Sequence, residues 1–293
     1  MRTLRDLHKA MKAKLYMILS MALYGTLSIF IRNIPLTSAE VALFRAILGL
    51  GGILALQAAR GRLPRLGDMG RDLPLLLLSG AVMGFNWIFL FEAYKYTTVS
   101  VATLSYYFAP VLVMLACPVL FKERMTRRQV ACFVGSTLGL VLVINVSTLG
   151  GGDHLKGVLF GLAAATLYAT VILMNKGIAR VSGIDRTVLQ FAGAALVLLP
   201  YVLANTGIHL EDMTPRGWAC LICVGLVHSG VAYALYFSAL KSLPGQEAAI
   251  LSYIDPLVAV FISLTVLGEP VTGLQLLGGG LILAFTLINE VTP

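Results

Sequence analysis

The segment Lys95–Gln129, KYTTVSVATLSYYFAPVLVMLACPVLFKERMTRRQ, is written a second time as Lys241–Gln275, KSLPGQEAAILSYIDPLVAVFISLTVLGEPVTGLQ. Lys95, Ala102, Tyr107, Pro110, Glu123, Thr126 and Gln129 recur as Lys241, Ala248, Tyr253, Pro256, Glu269, Thr272 and Gln275, with no gap between the two copies. The likeness extends upstream. Gly84, Phe91 and Ala93 answer to Gly230, Phe237 and Ala239 in the same register, and Leu23, Tyr24 and Thr26 answer to Leu167, Tyr168 and Thr170 two residues out of it. The chain is therefore read as one unit used twice, over 1–145 and 150–293.

The solvent of that unit follows from composition. The 293 residues are 58% hydrophobic and 12% charged, whereas soluble domains carry about 25% charged residues. Too little polar surface remains to face water, so lipid is the expected solvent. Apolar runs fall at 15–31, 38–58, 73–92, 99–121, 127–145, 157–175, 187–204, 217–240, 246–267 and 273–290. About 20 apolar residues cross a bilayer as a helix, which predicts an all-α membrane protein of ten transmembrane helices. The net charge of +8 sits in short gaps between the runs. That distribution sets membrane orientation and gives no reason to expect nucleic acid. The basic start followed by 15–31 is read as a retained first helix, because the apolar run exceeds a usual signal-peptide core.

Of the 22 Lys and Arg, Arg32, Lys95, Lys156 and Arg216 fall on one side and Arg45 inside a run; the other seventeen fall on the opposite side. The positive-inside bias then predicts that both termini are cytoplasmic. Five helices per unit is an odd number, so the second copy enters the bilayer upside down. Glu123 is expected at the cytoplasmic face and Glu269 at the outer one. Inverted repeats with a two-fold axis in the membrane plane are the construction of secondary transporters. Two inverted copies that exchange conformations open a path alternately to each side.

Glu40 and Arg45 in the second run, Ala109-Pro110-Val111 followed by Glu123 and Thr126, and Asp255-Pro256-Leu257 followed by Glu269 and Thr272 make the chain resemble the EamA-type members of the drug/metabolite transporter superfamily. Within that superfamily the sequence is most similar to bacterial exporters of aromatic amino acids. The resemblance implies a multi-pass bacterial inner-membrane transporter exporting amino acids, aromatic ones foremost, and related small metabolites. The alternative is a multidrug, lipid or sugar-conjugate exporter on the same fold. Small-molecule substrate and lipid are the expected partners. A monomer is expected, with dimerisation as the other option.

Several interior residues could serve such a path. Pro110 and Pro256 each remove one amide donor and release the carbonyl four residues earlier, on Tyr106 and Ser252. They are read as gating hinges, against static kinks. Asn86, His228 and Asp255 are polar groups inside apolar runs, where each needs a partner or a ligand. Tyr24, Trp87, Tyr107, Tyr168, Tyr233 and Tyr253 lie within spans and away from their ends, suited to lining a cavity or to packing. Arg45 is a charge inside the second run. Glu40, five residues earlier, lies well around the helix from it, so the two are read as structural intramembrane charges tying helices near the outer mouth; contact of Arg45 with a substrate carboxylate is the alternative. Cys117, Cys132, Cys220 and Cys223 read as small buried residues, so no metal or redox site is expected. Gly80/Gly84, Gly135/Gly139, Gly157/Gly161 and Gly278 to Gly280 suit close helix packing. No hydrolase, metalloprotease, P-loop or cofactor fingerprint is present, so neither an enzyme nor a cofactor is expected.

Overall fold

The computed structural model describes residues 4–61, 70–121, 126–144, 152–176, 181, 183–240, 243, 248 and 251–291. Among them there is no strand. In hydrocarbon each backbone amide must be paired within its own segment, which leaves the helix as the form for an apolar run. The helices are α1 (Leu4–Ile31), α2 (Ser38–Ala59), α3 (Leu73–Tyr96), α4 (Val99–Tyr106), α5 (Ala109–Phe121), α6 (Arg127–Ile144), α7 (Gly152–Lys176), α8 (Ile184–Asn205), α9 (Pro215–Ile222), α10 (Ala232–Leu240), α11 (Ile254–Thr265) and α12 (Gly273–Val291). Seven described stretches are long and apolar enough to cross a membrane, and α11 and α12 are shorter apolar helices. Val119, Leu196, Leu203 and Phe261 are largely exposed on the outside of the bundle, as side chains facing lipid would be.

Three runs are less regular than their hydropathy predicts. The fourth is broken into α4 and α5 by a turn at Tyr107 and Phe108. In the ninth, a turn at Tyr253 precedes α11. Each break falls two or three residues before a proline, Pro110 or Pro256. The eighth run passes from α9 into a π-helical stretch, Cys223–Val231, before α10; such stretches widen the helix and re-aim side chains. Glu123, predicted at the cytoplasmic face, lies outside the described residues.

Glycines set the closest helix crossings. An added Cβ at Gly80 would stand 2.1 Å from the Gln190 carbonyl oxygen, and one at Gly193 2.3 Å from that of Leu77. These two positions bring α3 and α8 into backbone contact. Gly139 and Gly278 do the same for α6 and α12, each facing the other's carbonyl at 2.6 and 2.4 Å. Small residues permit this approach where no hydrophobic force drives helices together in lipid.

Two carboxylates, one buried and one part-buried, fasten chain reversals. Glu40 closes a capping box with Thr37 at the start of α2, and its other oxygen accepts from the His209 amide at 2.7 Å. Glu269, between α11 and α12, accepts from the Val99 amide at 2.8 Å and from the Ser263 hydroxyl, and it pairs with Arg32. Arg32 also donates to the Tyr94 and Thr97 carbonyls at 2.9 and 3.2 Å. The end of α1, the α3–α4 corner and the α11–α12 loop are thus held at one point.

Gly80→Leu is expected to destabilise the detergent-solubilised protein by about 1–3 kcal/mol, the usual cost of overpacking. Gly51→Ala, where an added Cβ meets nothing within 4 Å, serves as the control. Thermal melting of the two variants measures the difference; equal melting would remove the close crossing as a source of stability.

Candidate functional site

The two helix breaks meet. Tyr107, in the turn between α4 and α5, donates its hydroxyl to an Asp255 carboxylate oxygen at 2.8 Å. Asp255 lies in the first turn of α11, directly after the turn at Tyr253. In each copy the chain leaves the helix where proline withholds an amide, so backbone carbonyls are released beside the hydrogen-bonded pair. α1 presses against this place: an added Cβ on Gly25 would stand 2.7 Å from the Asp255 carbonyl oxygen and 2.6 Å from the Val258 Cβ.

Aromatic rings surround the junction. Tyr106 stacks on Tyr168 with centroids 5.3 Å apart and meets Tyr107 edge-on at 6.1 Å. A second series runs through the bundle. Tyr24 meets Tyr233 at 5.5 Å, Tyr233 meets Phe191 at 5.4 Å, and Phe191 meets Trp87 at 5.3 Å, all edge-to-face. The series ends on a charge: the Arg45 guanidinium lies 4.5 Å from the Trp87 ring centroid and 5.8 Å from that of Phe91. Arg45 is 4% exposed, and its Nε donates to the Ser229 hydroxyl at 3.1 Å. Ser229 in turn donates to the Val224 carbonyl, five residues back, a spacing that belongs to the π-helical stretch.

The predicted residues thus fall into two groups. Tyr24, Trp87 and Tyr233 share the ring series, Tyr107 and Asp255 share the junction, and Tyr168 flanks it. Tyr253 is buried at the second break. Asn86 and His228 are held elsewhere. The Asn86 amide donates to the Ala164 carbonyl at 2.6 Å, joining α3 to α7. His228 has Thr26 at 3.1 Å from Nε2 and the Cys223 carbonyl at 3.3 Å from Nδ1, with the Phe30 ring edge-on at 4.8 Å. Glu40 and Arg45 do not pair with each other: Glu40 serves the cap and His209, while Arg45 serves Ser229 and the rings. Phe191 and Phe91, which complete the ring series, were not among the predicted residues. The register of the repeat was the available signal for Phe191, since α2 and α8 each span 22 residues and Phe191 holds the place in α8 that Arg45 holds in α2. Cys132, Cys220 and Cys223 are free thiols. Among the described residues no group of three His, Cys, Asp or Glu could hold a metal.

A helical bundle with two broken spans is shared by more than one kind of membrane protein, and comparison with known families decides between them. The model of the EamA-like transporter family matches the chain twice, over residues 11–145 and 155–290. The chain belongs to the EamA-like transporter family. It is 28% identical over 250 residues to the uncharacterized transporter YxxF of Bacillus subtilis, covering 85% of this chain and 79% of that one. A probable amino-acid metabolite efflux pump of Salmonella typhimurium is 27% identical over 228 residues, covering 74% and 76%. The uncharacterized inner membrane transporter YhbE of Escherichia coli is 27% identical over 252 residues, covering 82% and 76%. A solved crystal structure, 20% identical, superposes with a TM-score of 0.64 over 96% of this chain and 97% of the other, which speaks for the fold alone.

This EamA-like protein is a multi-pass membrane transporter and not an enzyme. Its junction of broken helices, ringed by tyrosines, can present hydroxyls and one carboxylate to a small polar or aromatic solute. Asn86, by contrast, joins two helices of the transporter by one interhelical bond. Asn86→Ala is expected to lower stability by about 1–2 kcal/mol, the upper range measured for such bonds in membranes. Melting in detergent checks this; an unchanged midpoint would free Asn86 for another role.

Proposed function

We propose that this transporter exports amino acids, aromatic ones among them, across the bacterial inner membrane by alternating access. In this reading the chain crosses the bilayer ten times as two inverted five-helix units, 1–145 and 150–293, with both termini in the cytoplasm. The two separate matches of one family model and the 22-residue length shared by α2 and α8 support the duplication. The odd number of predicted spans and the bias of Lys and Arg support the inversion.

The observation that carries the reading is the hydrogen bond between Tyr107 and Asp255. It joins the broken helix of one unit to the broken helix of the other, which is where transporters of inverted-repeat construction form their substrate sites. Asp255 supplies a negative charge for the substrate's ammonium group. Released carbonyls offer further acceptors, and Tyr24, Trp87, Tyr107, Tyr168, Tyr233 and Tyr253 offer rings on which an aromatic side chain can stack. Pro110 and Pro256 act as hinges because each break leaves the chain free to bend at one point. The amino-acid metabolite named for the Salmonella relative agrees with this substrate class.

The test is export of labelled L-phenylalanine from proteoliposomes. Saturable flux is expected, with Asp255→Asn lowering it about 10-fold or more, the loss typical of a charge-assisted hydrogen bond. Flux of unrelated cations or lipids in place of amino acids would favour a multidrug or lipid exporter. Pro110→Ala and Pro256→Ala are expected to slow flux at unchanged membrane expression, and full activity in both would end the hinge role. Accessibility of tags at the two termini checks the orientation, which requires both to react from the cytoplasmic side only.

A further inference from the structure

We infer that Arg45 binds the substrate's carboxylate, which makes this transporter selective for solutes with a free acid group. The inference rests on the amino acid reading above and adds the pole that Asp255 does not supply.

The first support is the state of the guanidinium. A charge at the centre of a helix costs about 2.5–3.5 kcal/mol on insertion scales and is retained where it has a partner or a function. Among the described residues Arg45 has no carboxylate in ion-pair contact. Its Nε donates to Ser229, and its Cζ lies 4.5 and 5.8 Å from the Trp87 and Phe91 ring centroids. The Nη donors of the fork suit a planar bidentate acceptor.

The second support is the comparison between the two copies. α2 runs from Ser38 to Ala59 and α8 from Ile184 to Asn205, so Arg45 and Phe191 occupy the same place in each. Trp87 and Tyr233 correspond in the same register. The contact of Arg45 with Trp87 is therefore repeated as the contact of Phe191 with Tyr233. The second copy achieves that packing with an uncharged ring. The fold does not need a cation at this position, and the first copy has one.

The third support is place. The ring series leads from Arg45 through Trp87, Phe191 and Tyr233 to Tyr24 of α1, and the next residue, Gly25, lies against the Asp255 carbonyl. A cavity of about 480 Å³ opens between the ends of α1, α2 and α3 and is lined in part by Val41, one turn before Arg45, and by Phe91. Its volume lies within the range that small-molecule sites occupy. Phe91 lines that cavity and its ring centroid lies 5.8 Å from the guanidinium.

The experiment measures inhibition of labelled L-phenylalanine flux in proteoliposomes by unlabelled L-phenylalanine and by L-phenylalaninamide, which lacks the carboxylate. In the wild type the acid is expected to inhibit at least about 10-fold better than the amide. Arg45→Gln is expected to bring that ratio close to one while the protein keeps its melting temperature. An unchanged ratio overturns the inference. Should Arg45→Gln not fold, Arg45→Lys is read instead, since it keeps the charge and loses the fork: a ratio lowered at least threefold supports the inference, and an unchanged one overturns it. Wild-type flux inhibited equally by acid and amide overturns the carboxylate contact and leaves amino-group recognition standing. A wild-type protein that moves no amino acid overturns the export reading, and this inference with it.

Discussion

Hydrocarbon offers no partner to an unpaired amide or carbonyl, and this governs the whole bundle. Long apolar runs become helices for that reason, and a break in one of them is costly unless other groups receive the exposed backbone. Here two breaks occur, each just ahead of a proline, and they are brought to the same place. The hydroxyl of Tyr107 and the carboxylate of Asp255 close on each other between them. Rings from α1, α3, α7, α8 and α10 fill the surroundings. The region where the two helices break is also one where hydroxyls, a carboxylate and aromatic rings come together.

The bundle around that region is held by devices of another kind. Glycine pairs bring α3 to α8 and α6 to α12 within backbone contact, and interhelical bonds such as that from Asn86 to Ala164 fix their register. Close packing reaches the junction as well, where Gly25 of α1 lets the helix approach the Asp255 carbonyl and Gly161 of α7 meets Ser105.

Much of this could be read from the residues. The repeat announced two related units, and Pro110 and Pro256 marked where spans would be interrupted. Tyr107 is legible as an aromatic ring inside a span and Asp255 as a carboxylate inside an apolar run. What the sequence did not reveal was partnership across the chain. Asn86 and His228 are polar groups in apolar runs, as Asp255 is, and only the fold shows that their partners are Ala164, Thr26 and Tyr107 in turn. That Glu40 and Arg45 point apart follows from their spacing on one helix, but their neighbours, His209 and Ser229, do not. The π-helical stretch that aims Ser229 at Arg45 has no hydropathy signature. Phe191 escaped notice because a phenylalanine in an apolar run is unremarkable until its neighbours are known.

Glu269 has a bearing on how such a molecule can move. One carboxylate grips a guanidinium, a backbone amide and a hydroxyl, and the guanidinium holds two carbonyls beyond it. Parting α1 from the α11–α12 loop at this end severs the ion pair, and withdrawing the loop from α4 severs the amide contact as well. These contacts share one carboxylate, so opening that end of the bundle breaks them together, while Arg32, 32% exposed, keeps part of its hydration.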